Sequence, residues 1–259
     1  MDVLETLWHT FFDWESMREA LPEMLTVGLP NTIILALCSS VLGTVIGMLL
    51  AVAGIARTRW LRWPARVYTD IFRGLPVVVT ILLVGLGLAP LALRLWGTNP
   101  YPLGILALGL VAGAYIGEIF RSGIQSVDRG QLEAARALGF GYPTAMRLVV
   151  IPQGIRRVLP ALVNQFIALV KDSSLVYFLG LLASQRELFR IGQDYAANTG
   201  NQSALLLAGL FYLVLTVPLT HLVNFIDHRL RSGRPDRAAA TEPEDDAVEA
   251  GGVGEVAAR

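Results

Sequence analysis

Hydrophobic residues of this chain are concentrated in five long stretches, which lie at roughly 26–55, 67–93, 101–120, 158–183 and 203–227. An α-helix rises about 1.5 Å per residue, so about 20 apolar residues cross a hydrocarbon core of roughly 30 Å. Each stretch is therefore long enough to be a membrane-spanning helix. The pattern predicts an all-α integral membrane protein with five transmembrane helices.

Small residues recur every fourth position in two of these stretches. The first contains Gly43 and Gly47, and the third contains Gly109, Gly113 and Gly117. Such ridges let helix backbones approach closely inside a membrane, where no hydrophobic effect drives helices together. We therefore expect the first and third spans to pack tightly.

The composition supports a membrane protein and excludes some other classes. Of 259 residues, 54% are hydrophobic and 16% are charged, and the mean hydropathy is +0.54, which is too apolar for an ordinary soluble domain. The formal net charge is zero, so a nucleic-acid partner is not indicated. Cys38 is the single cysteine, which excludes a disulfide within the chain.

Arginines indicate the orientation of the spans, because they concentrate in every second connection. Cytoplasmic connections carry an excess of basic residues, so we expect the third connection and the C-terminus in the cytoplasm and the N-terminus outside. Five spans satisfy this pattern, whereas four or six would break it. The basic connections hold Arg57, Arg59, Arg62 and Arg66, then Arg121, Arg129, Arg136, Arg147, Arg156 and Arg157, then Arg229, Arg231, Arg234 and Arg237.

Both ends of the chain differ from the five-span domain, which we place at 23–231. Residues 1–22 begin with acidic residues, unlike a signal peptide, and their apolar side chains recur at helical spacing. This predicts an amphipathic helix at the outer membrane surface, with a frayed terminus as the alternative. The tail at 232–259 is rich in Ala, Gly, Pro and acidic residues, which predicts a disordered cytoplasmic segment.

The third connection, at about 129–152, is unusually regular for a loop. Strong helix formers run from Gln131 to Leu138, Gly139 suits the left-handed position that ends a helix, and Pro143 can begin a second short helix. An exposed helix with several alanines is suited to a groove in another protein. The alternative is a helix that packs against the cytoplasmic side of its own chain.

Within this connection, one pattern resembles the EAA loop of permease subunits of bacterial ABC importers. It comprises Glu133, Ala134 and Ala135, then Gly139, and finally Pro152 after two aliphatic positions. Four further blocks resemble the polar amino acid branch of the same family, and the resemblance extends over most of residues 26–230. These blocks are 72–76 (FRGLP), 114–124 (AYIGEIFRSGI), 152–153 (PQ) and 169–175 (LVKDSSL).

The resemblance implies the permease subunit of an ATP-driven importer that takes up a polar amino acid. In this family, an external binding protein delivers the solute, a second permease subunit (identical or related) completes a dimeric pore, and two cytoplasmic ATP-binding subunits supply energy. The implied location is the bacterial plasma (inner) membrane, in contact with lipid. The ATPase-coupling residues implied are Glu133, Ala134, Ala135, Gly139 and Pro152, with Glu133 pairing with a basic group on the ATPase.

No ATP-binding, catalytic or metal-binding motif is visible in the sequence. A phosphate-binding loop needs Gly-x-x-x-x-Gly-Lys-Ser/Thr, and the only lysine, Lys171, lacks those glycines. His9, His221 and His228 have no metal-ligand spacing. We therefore expect a chain without cofactor or enzymatic activity, whose energy comes from ATP and Mg²⁺ bound to the partner subunits.

The fourth span carries a polar stripe that could contact the solute. At 100° per residue, Asn164, Gln165, Ala168, Lys171 and Asp172 fall within an arc of about 120°. Ionisable groups are costly at membrane depth and normally face a bundle interior, a partner or water. Alternatively, the two charged residues of the stripe lie at the membrane edge or pair with structural neighbours.

Two further residues join the candidate solute and pore set. Ser173 follows the stripe and, with Ser174, can interrupt the helix and expose backbone groups, as in broken transporter helices. Glu118 on the third span is the second candidate, although it could simply pair with Arg121. The sequence does not determine the side-chain charge of the solute, because one lysine and one aspartate suit acidic, basic or neutral polar amino acids.

Other functional classes fit the sequence less well. A secondary amino acid carrier driven by an ion gradient usually needs more spans and internal repeats, and no repeat is found in this chain. An intramembrane enzyme would need a nucleophile, paired carboxylates or a metal-binding motif. A sensory or scaffold protein would explain the regular loop but leaves the polar stripe without a role.

Overall fold

The computed structural model describes residues 3–56 and 58–232, and regular structure in these segments is helical. The predicted disordered tail, apart from Ser232, lies outside the described residues. The α-helices are α1 (Val3–Phe11), α2 (Trp14–Glu23), α3 (Leu29–Ile55), α4 (Arg59–Gly74), α5 (Val77–Gly87), α6 (Ala89–Trp96), α7 (Tyr101–Gln125), α8 (Arg129–Ala137), α9 (Tyr142–Ala145), α10 (Ile151–Asp172), α11 (Leu188–Thr199) and α12 (Ser203–Ser232).

Four helical stretches in the described residues are long and apolar enough to cross a membrane. The pair formed by α4 and α5 provides a fifth if it is counted as one bent span. The four stretches are Val3–Ile55, Tyr101–Gln125, Tyr142–Leu179 and Ser203–Asp227.

The second predicted span, at 67–93, is wrong as a single helix. The helix breaks between α4 and α5 with a bend of 107°, and α6 follows as a separate element. Pro76 has no N–H group to continue the hydrogen-bond ladder. A proline also forces the residue before it into extended backbone, and Leu75 has φ of −84° and ψ of 139°.

The centre of the fold is the contact between α3 and α7, as the small-residue ridges predict. A Cβ at Gly43 would lie 2.6 Å from the Cβ of Ala112, and a Cβ at Gly47 would lie 2.8 Å from the backbone nitrogen of Gly117. These distances are too short for any larger side chain. Since residues 43 and 47 face residues 112 and 117 in the same order, α3 and α7 run parallel.

The other two long helices complete the bundle in opposite directions. Near the C-terminal end of α7, Gly123 approaches Val158, whereas near its N-terminal end Gly104 approaches Val176. The direction of α10 is therefore antiparallel to α7. Its end leads into a 3-10 segment at Ser173–Leu179, and α12 then returns in the direction of α3.

The bundle has two ends that differ in the elements they hold. The loop end holds the C-terminal ends of α3 and α7 together with α8 and α9. The far end holds the N-terminal ends of α3 and α7 together with α11, and there the Tyr101 hydroxyl donates to the Asn31 carbonyl oxygen at 3.0 Å. Because α3 begins at the far end and α12 begins there too, the described chain starts at the far end and finishes at the loop end.

The N-terminal segment is helical and attached to the far end. The Gln202 backbone N–H donates to the Thr10 carbonyl oxygen at 2.8 Å, and the Asn201 side chain donates to the His9 carbonyl oxygen at 2.7 Å. Ala20 and Met24 are buried against Leu188, Ile191 and neighbouring residues. These contacts favour the helical prediction over a frayed terminus for residues 3–22, while the position at the membrane surface stays a prediction.

Candidate coupling and solute-contact site

The regular loop begins and ends with well-formed helix caps. The Asp128 side chain accepts the backbone N–H of Gly130 at 2.7 Å and so caps the first turn of α8. At the other end, Gly139 has φ of +89°, its N–H donates to Arg136 O at 3.0 Å, and the N–H of Phe140 donates to Ala135 O at 3.2 Å. This hydrogen-bond pair is a Schellman motif, so the predicted left-handed role of Gly139 is confirmed.

One face of α8 packs on its own chain and the other is open. Ala135 is only 4% exposed, whereas Glu133 and Ala134 are exposed. Leu138 is 80% exposed and Phe140 is 42% exposed, so two large apolar side chains are presented at the C-terminal end of α8. The helix therefore packs on its own chain through one face and exposes Glu133 on the other, so each of the two interpretations of the loop describes one face.

The loop runs into α10 without an irregular connection. Pro143 lies in the first turn of α9, as predicted, and a π-helical turn at Met146–Val150 joins α9 directly to α10. Pro152 is the second residue of α10, just after this turn. Because a proline has no N–H to donate, it leaves one carbonyl of the preceding turn without its usual helical partner. Single π-helical turns inside α-helices often occur at functional sites.

Contacts also hold the loop to α7 and α10 from both sides. The Gln153 side chain donates to the Gln131 side chain at 3.2 Å, which joins α10 to α8. The Arg157 guanidinium donates to the backbone oxygen of Ser126. Beside these bonds the helix backbones nearly touch, because a Cβ at Gly154 would lie 3.0 Å from the Gly123 oxygen.

The polar stripe of α10 lies on the surface of the subunit. Asn164 and Lys171 are exposed, while Gln165 and Asp172 are half-buried. None of the ion pairs in the described residues involves Lys171 or Asp172. The alternative that these two charges pair with structural neighbours therefore finds no support in the described part of the subunit.

The helix changes geometry where the stripe ends, as the two serines predict. The α-helix stops at Asp172 and continues as a 3-10 segment. Ser173 is fully buried, and its hydroxyl donates to the Val170 carbonyl oxygen at 2.7 Å. Its side chain thus stabilises the transition and does not point toward the open surface.

Glu118 lies apart from the stripe, near the loop end. The Nε of Arg121 donates to its Oε2 at 3.2 Å, and a second guanidinium nitrogen binds Oε1, so the pairing with Arg121 is present. No hydrogen bond in the described residues joins Glu118 to the stripe. Both residues line a cavity together with the polar face of α4.

One buried acid was missed by the sequence analysis. Glu187 is 0% exposed and caps α11, accepting the N–H groups of Phe189 at 2.6 Å and Arg190 at 2.7 Å. The Tyr212 hydroxyl donates to the same carboxyl at 3.0 Å. Burial raises the pKa of Glu187 to about 7. The sequence carried no signal for this, because a glutamate in a polar connection beside Arg186 looks like a surface residue.

Known proteins share this arrangement over most of the chain. The family described as binding-protein-dependent transport system inner membrane component matches residues 43–232. The chain belongs to this family. Its members are permease subunits, so membership bears out the resemblance of the EAA pattern and favours an ABC permease over an ion-driven carrier.

Individual relatives match this chain over most of its length and over nearly all of their own. The arginine transport system permease protein ArtQ of Bacillus subtilis is 35% identical over 79% of this chain and 91% of its own length. The glutamate/aspartate import permease protein GltK of Escherichia coli is 34% identical over 84% of this chain and 98% of its own length. The glutamine transport system permease protein GlnP of Escherichia coli is also 34% identical, over 85% and 98%.

Solved structures of ABC transporters have the same fold. A subunit of an amino acid ABC transporter, whose crystal structure was determined with histidines, superposes with a TM-score of 0.74 at 31% identity. The superposition covers 84% of this chain and 98% of that subunit. The methionine transporter MetNI in an inward-facing conformation gives a TM-score of 0.64 at 22% identity, over 83% of this chain and 99% of that chain, which shows the fold alone.

Proposed function

We propose that this chain is the permease subunit of an ATP-driven importer for a polar amino acid in the bacterial plasma (inner) membrane. Family membership supports the transport role. Relatives of similar identity are named for arginine, glutamate or aspartate, and glutamine, so they agree on amino acids but not on the charge of the side chain. The proposed solute is therefore a polar amino acid in general and not one with a particular side-chain charge.

The bundle supports five spans with the far end outside. Parallel α3 and α7 require the chain between them to return across the membrane, and the bent pair of α4 and α5 is the segment available for that crossing. Arginine-rich segments lie at the loop end, which the positive-inside rule places in the cytoplasm. The N-terminal helices α1 and α2 then lie outside, where their exposed aromatic side chains suit a membrane surface.

The exposed stripe on α10 is the observation that carries the proposal of a solute path. Lys171 and Asn164 are exposed on the surface of a helix that otherwise belongs in lipid. An unpaired charge facing hydrocarbon is strongly disfavoured, so this surface requires water or a second permease subunit. A dimer, identical or related, that brings two such stripes together would enclose a polar path for a zwitterionic solute.

The outward face of α8 supports the coupling role. Glu133 and Ala134 are exposed at the loop end, and the caps of α8 hold them in a fixed position. A pair of cytoplasmic ATP-binding subunits, which carry the ATP and Mg²⁺, would receive this face, and Gly139 and Pro152 set the geometry on either side. This chain itself is then a pore subunit and not an enzyme.

Reconstitution tests this function. The full-length chain is placed in proteoliposomes with the ATPase and binding protein encoded beside it, and uptake of labelled polar amino acids is measured. We expect accumulation only with ATP, and Lys171→Met should lower uptake at least about tenfold if the stripe contacts the solute. Accumulation without ATP, or uptake that responds only to an ion gradient, would contradict the proposal.

The matched control is Arg156→Met, an exposed charge near the loop end and outside the stripe. It makes the same charge change on the same helix. ATP hydrolysis by the assembled complex is measured in parallel, so that a loss of uptake can be separated from a loss of assembly. Equal effects of the two substitutions on uptake would rule out a specific role for the stripe.

A further inference from the structure

A cavity of about 150 Å³ lies at the loop end, between the polar face of α4 and the C-terminal halves of α3 and α7. Its uncharged lining residues are Leu50, Gly54, Ala65, Thr69 and Gly117. The volume is enough for several water molecules and hence for one small polar group. The charged side chains that line it are Arg62, Arg66, Asp70, Arg73, Glu118 and Arg121.

Positive charge dominates this cavity. Four arginines against two carboxylates leave a net charge of two, and Arg121 already forms an ion pair with Glu118. Arg73 lies over the ring of Tyr115 at 5.4 Å from its centroid. The side chains of Arg62 and Arg66 take part in none of the ion pairs of the described residues.

The sequence of α4 explains why the arginines converge. Residues 62, 66 and 73 recur at intervals of four and seven, which places them on one face of a helix. The Coulomb repulsion of these like charges is unfavourable in the absence of a counter-charge. All three arginines are exposed and line the same open cavity. Asp70 on the same face supplies one counter-charge, so a bound anion would relieve the remaining repulsion.

The opposite face of α4 indicates the depth at which this cavity lies. Trp60 is 88% exposed, and Leu61 and Trp63 are also exposed. Tryptophans are enriched at the level of lipid headgroups, so Trp60 and Trp63 place the N-terminal part of α4 at this depth. Arg62 and Arg66 belong to the same part of the helix and are therefore placed at headgroup depth, in the leaflet that the basic loop end faces.

We propose that this cavity binds a phosphate-bearing anion, the headgroup phosphate of an anionic phospholipid, through Arg62 and Arg66. A guanidinium group offers two parallel N–H donors that match two phosphate oxygens. Arg73 and Arg121 add to the positive field, while Asp70 opposes it. The cytoplasmic leaflet is the anionic one, so the ligand is abundant where the cavity opens.

Lipid binding to the purified full-length chain tests the proposal. Native mass spectrometry measures retention of phosphatidylglycerol and of phosphatidylcholine with identical acyl chains. We expect a preference for phosphatidylglycerol of at least about tenfold, which Arg62→Gln with Arg66→Gln should abolish. The control pair Arg59→Gln with Arg156→Gln removes the same charge from two arginines that are also exposed but do not line the cavity, and it should retain the preference.

Removal of a negative charge from the cavity distinguishes an effect on lipid binding from damage to the fold. Asp70→Asn removes a carboxylate from the cavity wall and should tighten phosphatidylglycerol binding by about threefold. A misfolded chain would not gain affinity. Equal retention in the two double variants, or weaker retention in Asp70→Asn, would overturn the proposal.

A second arm identifies the source of the phosphate. Inorganic phosphate is added as a competitor at millimolar concentration. Arginine-dependent displacement of the lipid would support one site shared by the lipid phosphate and the free anion. Arginine-dependent phosphate binding without a lipid preference would assign the site to a soluble anion. No preference for phosphatidylglycerol together with no arginine-dependent phosphate binding would refute the site.

Discussion

At the scale of single residues, the most unusual group is Glu187. It is fully buried at the far end, yet it caps α11 and accepts a hydrogen bond from Tyr212 of α12. Leu188 beside it donates its N–H to Thr32 of α3 at 3.2 Å. The carboxyl thus lies where three helices meet, and its protonation affects how they are held together.

We expect Glu187 to make stability depend on pH. Burial raises its pKa from 4.5 to about 7, so between these values the folded chain holds a proton that the unfolded chain has lost. Stability should therefore fall as pH rises through this range, by about 3 kcal/mol at most, and level off above it. Glu187→Gln should flatten the dependence of Tm on pH between 5 and 8.

The control for this measurement is Glu15→Gln, which changes an exposed carboxyl on α2. It should leave the pH dependence of the wild type in place. If the wild type and Glu187→Gln lose stability equally between pH 5 and 8, the titration belongs to another group.

At the scale of elements, the crossing of α7 and α10 matters most for function. Close backbone contact at Gly123 and Gly154 joins the two helices that carry the loop. The bonds from Gln153 and Arg157 lie beside this crossing. These elements therefore form one unit around α8.

Gly154→Ala should disturb this unit measurably. Its Cβ would lie 3.0 Å from Gly123 O and Ile124 Cα, and since backbone atoms cannot move aside cheaply, we expect a loss of about 1–3 kcal/mol. Gly87→Ala is the control, because nothing lies within 4 Å of its Cβ position. Thermal unfolding of both variants measures the loss of stability. A Gly154→Ala chain as stable as the wild type would argue against the close crossing.

The open face of α8 leads to a second prediction for an element. Glu133→Arg should weaken binding of the partner ATPase by at least about tenfold, since loss of one member of an interfacial charge pair can cost about 2–5 kcal/mol. Glu15→Arg makes the same change at the far end and should bind normally. Co-purification from membranes measures both, and wild-type affinity of Glu133→Arg would exclude the proposed role.

At the scale of the whole molecule, the two ends should lie on opposite sides of the membrane. In a Cys38→Ala background, Glu15→Cys at the far end should react with a membrane-impermeant thiol reagent in spheroplasts. Leu138→Cys at the loop end should react only after permeabilisation. The expected asymmetry follows from the arginine distribution, and the reverse pattern of labelling would invert the proposed topology.

Periodic features of this fold could be predicted from the sequence, whereas features formed by distant residues could not. The glycine ridges predicted the contact of α3 and α7, and Gly139 predicted the end of α8, because both depend on local spacing. The break at Pro76 was missed because the hydrophobic pattern runs through it. The positions of Glu187 and the cavity at Arg62 were also missed, since burial and convergence depend on residues far apart in the chain.

The close crossing at Gly154 has a mechanical consequence. Lys171 lies 17 residues further along α10, which is about 25 Å at 1.5 Å per residue. A tilt of α10 by about 10° around the crossing would move the backbone at Lys171 by roughly 4 Å, wider than a water molecule. Because the crossing lies beside the loop and the polar stripe lies far along α10, a small displacement of α8 would be amplified at the proposed solute path.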